Sequence, residues 1–281
     1  MGGGEIFLEG LTREEALRLV AAARSSASDE AGERGPVSDS SNPKAPSVPR
    51  PDRGSGARPR KGAEARPETG AEARPEKGAG ERTASVPSAD GALPDDYDAL
   101  RQEALQCTRC RLCEGRTQVV FSDGPRDARL MVVGEAPGAN EDETGIPFVG
   151  AAGQYLDLLL ATVGLSRQES VYIANVLKCR PPGNRDPKPD EIETCSPYLR
   201  KQIDLVRPEA LLAVGSFSGK LLTGRDKVSL GRLRGEVHSY HGVPLVVTYH
   251  PAALPRNPRS LGPFWDDLQR LREVLARGDS S

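Results

Sequence analysis

Aromatic residues make up only 4% of the 281-residue chain, Trp occurs once, Met twice and His three times. So few histidines make each one conspicuous as a candidate for hydrogen-bond or proton chemistry. No run of about 18 apolar residues occurs, so a membrane-spanning helix is not expected. The start, Met1-Gly2-Gly3-Gly4-Glu5, lacks the basic and apolar segments of a secretory signal, and a cytoplasmic location is expected. Excess charge of one sign is lacking too, because 38 basic and 40 acidic residues leave a net charge of -2. Nothing global therefore speaks for or against nucleic acid. Any contact with phosphates must come from local clusters of Lys and Arg.

Cysteine is sparse but patterned. Cys107-x2-Cys110 is followed by Cys179 and Cys195, with Cys113 as a fifth. A cytosolic chain keeps its thiols reduced, so paired cysteines point to metal ligands rather than disulfides. Two separated pairs can reach one metal centre only if the intervening chain folds back on itself. Their spacing alone leaves zinc and an iron-sulfur cluster equally open. Cys113 is within reach of the pair as a substitute ligand, but its place directly after Leu112 fits a free, partly buried thiol better.

Three segments differ in character. Residues 11 to 24 predict one short helix, since Thr12 and Glu15 have capping-box spacing ahead of an Ala/Leu-rich run. From residue 25 to about 93, Pro, Gly, Ser, Ala, Arg and Glu dominate, which predicts a disordered tether. Within it Gly-Ala-Glu-Ala-Arg-Pro-Glu starts at Gly62 and again at Gly70, with a degenerate copy from Gly78. An eight-residue period broken by proline reads as a duplicated spacer, not a solenoid unit. Residues 94 to 281 form the ordered domain.

In that domain four short Val/Ile/Leu-rich runs, 129–134, 171–175, 210–215 and 244–249, have the composition of buried parallel strands. Helical periodicity over 152–163, 190–206, 216–222 and 263–276 separates or follows them. The alternation predicts an α/β fold: a three-layer α/β/α sandwich around a mostly parallel, four-stranded sheet. In open sheets of this kind ligands bind outside the carboxyl ends of the strands. Glu135, Asn175, Gly215 with Ser216, and His250 all fall at such ends. One rim would therefore gather the polar candidates into a site.

The segments around these positions carry a resemblance. Gly134-Glu-Ala-Pro-Gly138 with Glu141-Asp142, Gly145-Ile-Pro-Phe-Val-Gly150 and Gly153 is similar to the first motif of the type 4 (iron-sulfur) uracil-DNA glycosylases. Asn175-Val-Leu-Lys-Cys-Arg-Pro-Pro-Gly-Asn184, Cys195, Leu233-Arg-Gly235, His250-Pro-Ala-Ala-Leu254 and Arg256-Asn-Pro258 fit that family in order and spacing. The match runs from about Leu105 to the C-terminal helix and leaves the N-terminal third outside.

The resemblance implies a base-excision-repair enzyme that flips uracil out of DNA and hydrolyses its N-glycosidic bond, leaving an abasic site. His250 would hydrogen-bond uracil O2 as negative charge develops, a contact worth about 3–4 kcal/mol of barrier. Asn175 would read the base edge, accepting from N3–H and donating to O4, a pattern that cytosine reverses. Phe148 would stack on the ring, Gly134, Gly138 and Gly150 would let backbone approach it, and Ala136 would line the uracil site. Better-known uracil glycosylases carry a water-positioning Asp where Ala136 stands. Glu135 is the nearest carboxylate, to shape the pocket, place water or cap the loop. Leu254 is the wedge candidate for the gap left by the flipped base. Lys178, Arg234 and Arg256, together with Arg180, Arg185, Lys188, Arg232 and Arg259, are the candidate phosphate contacts. For the metal, Cys107, Cys110, Cys179 and Cys195 correspond to the family's ligands of a structural 4Fe-4S cluster, with zinc as the competitor.

Two other readings compete. A uracil-DNA-binding or covalently trapping relative would need a reactive histidine in a basic loop; Ala136 in place of Gln and the lack of His from Arg225 to Arg234 speak against it, while His238 nearby keeps it open. A non-catalytic metal-containing DNA-binding module would not need a histidine at the end of the fourth strand. The partners implied are single- and double-stranded DNA containing uracil, met by a monomer. The N-terminal helix is a candidate dock for a repair or replication protein.

Overall fold

The computed structural model describes residues 93–278 and the isolated positions 14, 15 and 18. Glu14, Glu15 and Arg18 are helical and exposed, with Arg18 3.7 Å from Glu14. The remainder of the segment 11–24 expected to be helical, and the segment 25–92 expected to be a tether with repeats, lie outside the described residues. Among the described residues no helix is long and apolar enough to cross a membrane.

Five strands form one sheet: β1 (Leu130–Gly134), β2 (Val171–Asn175), β3 (Ala210–Val214), β4 (Val237–Tyr240) and β5 (Val243–Thr248), in the order β2-β1-β3-β5-β4. β1 runs parallel to β2 and β3, and β3 runs parallel to β5. Every residue of β1, β2 and β3 is buried, as strands covered on both faces must be. Within residues 93–278 the helices that accompany them are α1 (Tyr97–Leu105), α2 (Ala139–Thr144), α3 (Ala151–Ala161), α4 (Pro189–Val206), α5 (Ser216–Thr223), α6 (Leu230–Leu233) and α7 (Leu261–Gly278).

Alternation along the strands divides the core in two. Met131, Val133, Leu211, Ala213, Leu245 and Val247 pack with Leu199 and Ile203 of α4, Leu222 of α5 and Leu233 of α6. Leu130, Val132, Leu212, Val214 and Val246 face the other way, onto Leu156, Leu159 and Leu160 of α3 and Phe264, Leu268 and Leu271 of α7. The result is the three-layer α/β/α sandwich expected. A smaller cluster of Leu100, Ala104, Phe121 and Tyr198 ties α1 to α4.

The sheet departs from expectation at one edge. β4 is a fifth strand, antiparallel to β5, so the sheet is mixed. Its four residues alternate between exposed and half-buried, so no apolar run marks it. The turn to β5 is His241-Gly242, with φ of 48° and 91°, the paired left-handed conformation of a two-residue hairpin.

Candidate active site

The chain passes from β1 to β2 on one side and then to β3 on the other, so the loops diverge beyond the carboxyl ends and leave a crevice. A cavity of about 490 Å³ occupies it. Glu135, Ala136 and Gly138 enter it from the end of β1, Phe148 from the loop before α3, Asn175 from the end of β2, and His250 with Arg256 from the segment after β5. All of these were singled out in the sequence, and they share one pocket. Pro181, Asn184 and Arg185 add a wall from the loop before α4.

Asn175 is 2% exposed, and its Oδ1 is buried without a hydrogen-bond partner. An acceptor left in that state costs about 1–3 kcal/mol, so it is set for a ligand. Gly134 does not line the cavity but permits it. A Cβ there would lie 2.3 Å from Asn175 Oδ1 and 2.6 Å from the Phe148 ring. Phe148 is itself buried and adopts φ of 55°, rare for an aromatic residue. Its ring lies 5.7 Å from that of His250 at an interplanar angle of 27°.

His250 is neutral around pH 7. Burial first, and then the Arg256 charge, lower its pKa to about 4. The amide of Ala252 donates to His250 Nδ1 at 3.2 Å, which leaves the ring proton on Nε2 and fixes the tautomer. Gly215, at φ of 104°, brings the end of β3 close behind, where a Cβ would stand 3.3 Å from that of His250. Glu135 is shifted in the opposite sense, because burial and the nearby Asp186 raise its pKa to about 7.

Glu141 binds the pocket's two glycine-rich loops together. Its Oε2 accepts from the Gly138 amide at 3.0 Å, and Oε1 accepts from the amides of Val149 at 3.0 Å and Gly150 at 2.9 Å. Asp142 accepts from the Thr117 amide at 2.9 Å and so anchors the same helix from behind.

Of the expected DNA contacts, Arg256 is exposed at the cavity mouth. Three others are placed differently. Lys178 is 2% exposed, its ammonium donating to the Asn175 carbonyl at 2.8 Å and to Gln202, so it cannot meet a phosphate. Arg234 is 12% exposed, donates to Asp267 at 2.7 Å from Nε, and lies 4.1 Å over the Tyr249 ring. It braces the strand end that carries His250. Leu254 is 3% exposed and packs into the core beside α3 and α7, which is not the exposed position of a wedge. His238 gives its Nε2 to the Leu233 carbonyl at 2.7 Å and is not part of the cavity wall.

The metal centre expected from the cysteines is not borne out. Cys107, Cys110, Cys113, Cys179 and Cys195 border one small cavity as free thiols. Among the described residues, however, no group of three or more His, Cys, Asp or Glu is arranged to hold a metal ion. Metals bind thiolates, and here burial pushes the Cys110 and Cys179 thiols up and that of Cys195 to about 12. Two sulfurs already accept hydrogen bonds, Cys179 from Arg116 at 3.2 Å and Cys195 from the Lys178 amide at 3.3 Å. Both belong to the apolar core. Neither the 4Fe-4S cluster nor the zinc alternative fits this arrangement.

The class of fold is thus a mixed α/β/α sandwich with a neutral histidine, an unpaired buried amide oxygen and an aromatic ring at its carboxyl rim. The model of the Uracil DNA glycosylase superfamily matches residues 121–271, which take in all five strands and the rim. The chain is 42% identical over 188 residues to the Type-4 uracil-DNA glycosylase of Sulfurisphaera tokodaii, covering 64% of this chain and 85% of the relative. It is 37% identical over 190 residues to that of Archaeoglobus fulgidus, covering 65% and 95%. To the Type-5 uracil-DNA glycosylase of Pyrobaculum aerophilum it is 32% identical over 212 residues, covering 64% and 91%. The protein belongs to the uracil-DNA glycosylase superfamily and, within it, to the type-4 family.

Proposed function

We propose that the protein is a base-excision-repair hydrolase that binds uracil flipped from single- or double-stranded DNA and cleaves its N-glycosidic bond, leaving an abasic site. The observation that carries this reading is the unpaired, buried Oδ1 of Asn175, a residue that lines one cavity with Phe148 and His250. Uracil offers N3–H to that acceptor and O4 to the Asn175 amide nitrogen. Cytosine offers a bare N3 and an amino group, so both contacts turn repulsive and the buried groups stay unpaired.

Cleavage places positive charge on the sugar and negative charge on the departing base. His250, a neutral donor through Nε2, meets the base oxygen where that charge grows, and its hydrogen bond strengthens toward the transition state. Glu135 titrates near the operating pH. As a carboxylate it orients the attacking water and favours the cationic sugar. Phe148 holds the base plane, and Arg256 meets a phosphate at the mouth. The glycosylase domain is taken as residues 94–281, preceded by a tether and an N-terminal helix that docks a repair or replication partner.

The test is an end-labelled oligonucleotide with one uracil, run on a denaturing gel before and after alkali, with His250→Ala alongside. Alkali-dependent cleavage that is lost in the variant supports a glycosylase acting through this site. A slow-migrating band before alkali indicates covalent capture instead, and unchanged DNA refutes the activity.

A further inference from the structure

Phe148 holds a backbone conformation that L residues rarely adopt, and it forms one wall of the base pocket. Something outside the pocket must keep it there. The Glu141 carboxylate accepts from the amides that follow, at Val149 and Gly150, but not from that of Phe148 itself. The carbonyls on the other side are taken by Arg167, 19 residues along the chain. Its Nη1 donates to Pro147 O at 3.0 Å and its Nη2 to Phe148 O at 2.7 Å. The guanidinium is held in turn by two carboxylates, with Nε on Asp157 of α3 at 2.9 Å and Nη1 on Asp123 at 3.1 Å. Asp123 is pinned to the middle of β2 by reciprocal backbone bonds with Ile173. The arginine side chain is 10% exposed and forms no part of the pocket lining. Gly153 completes the arrangement, since a Cβ there would lie 1.7 Å from the Phe148 oxygen.

We infer that Arg167 is the positioning residue for Phe148, fixing the plane on which the flipped base stacks by clamping the carbonyls of Pro147 and Phe148. This inference rests on the glycosylase reading above. A planar fork that serves two carbonyls and two carboxylates at once is a task for arginine, and the single ammonium of lysine cannot reproduce it. Loss of the clamp lets Phe148 relax toward an ordinary φ and moves the ring from its place against the base. Misplacement by about 1 Å is enough to lower turnover by about 10²-fold.

A double-mutant cycle on the full chain tests this, with single-turnover release of uracil from an oligonucleotide measured below the melting temperature of every variant. Arg167→Met is expected to lower kcat/KM by about 10²-fold, and Arg167→Lys to restore little of it. In the Phe148→Ala background the Arg167→Met change should have almost no further effect, because the ring it positions is gone. A general structural role would instead lower activity by the same factor in both backgrounds, which overturns the inference, as does a wild-type rate for Arg167→Met. Should Arg167→Met fail to fold, Arg167→Gln, which keeps one donor, carries the same cycle. If the wild-type chain releases no uracil, the glycosylase reading falls. The coupling is then read from affinity for the uracil-containing single strand, where additive losses refute the positioning role independently.

Discussion

Replacing Glu135 by Gln should make the protein more stable in alkali and less active throughout. The Glu135 carboxyl titrates at about 7, against 4.5 for a free glutamate, because burial and Asp186 disfavour its charge. Between those values the folded chain holds a proton that the unfolded chain has released, so stability falls as pH rises through that window and the full penalty stands above it. A tenfold change in proton affinity is worth about 1.4 kcal/mol, which caps the penalty at about 3 kcal/mol. Solvent in the open cavity screens the charge and reduces this to about 1–2 kcal/mol. Glutamine cannot ionise and escapes the penalty. For a domain of this size that corresponds to a rise in Tm of about 3–6 °C at pH 8.5, vanishing near pH 4. Thermal melts followed by circular dichroism across this range read the difference directly. In parallel, wild-type kcat/KM should climb through about pH 7, while Glu135→Gln should be flat and about 10²-fold or more lower. Coincident melting curves at pH 8.5, or a wild-type rate indifferent to pH, would refute the assignment.

Asn175→Leu should raise Tm slightly, since it removes an unpaired buried oxygen, yet lower uracil excision by roughly 10²–10³-fold through two lost hydrogen bonds; melting and single-turnover rates should move in opposite directions. Glu141→Gln weakens three bonds to backbone amides that depend on its charge, and should cost about 1–3 kcal/mol in urea unfolding while reducing activity through the loosened loops. His250→Gln should remove a distinct acid sensitivity. With the pKa of His250 lowered to about 4, the unfolded chain gains its proton first as pH falls from 6.5, so wild-type stability declines over that interval and the variant's should not. Denaturant midpoints at pH 7 and pH 4.5 check this.

Much of the architecture was legible because buried parallel strands need unbroken apolar runs, and β1, β2, β3 and β5 each carry one. Their ends were equally legible, since polar residues such as Asn175 and His250 stand out against such runs. β4 was not, because an exposed edge strand of four residues has no pattern to distinguish it from a loop. Side-chain fate was harder to read. Lys178 and Arg234 look like surface cations, but one is folded onto the Asn175 carbonyl and the other onto Asp267, partners 3 and 33 residues away. Leu254 carries no sign in its sequence of whether its loop turns it outward or into the core. The cysteines illustrate the same limit, since spacing along the chain does not say whether sulfurs converge as ligands or pack as small apolar groups. Arg167 escaped notice because its work is done on backbone carbonyls, which have no sequence identity.

The two titrating groups of the pocket approach neutrality from opposite sides, and DNA should displace them unequally. His250 is already uncharged at pH 7, so added negative charge must raise its proton affinity by several units before it changes state. Glu135 stands at its midpoint, where any change is felt at once. On the proposed reading a bound strand would bring phosphates toward Arg256 and expel water from the cavity, and both effects would make the carboxylate harder to form. The pKa seen in kcat, which reports the bound complex, should therefore lie above the value of about 7 seen in kcat/KM, which reports the free enzyme. Higher salt screens the phosphate contribution but leaves dehydration in place, so it should narrow the gap without closing it. Rate profiles from pH 5 to 9.5 at two salt concentrations measure both quantities. Identical midpoints for kcat and kcat/KM would mean that the base enters without dehydrating Glu135, and would remove that residue from contact with the reacting water.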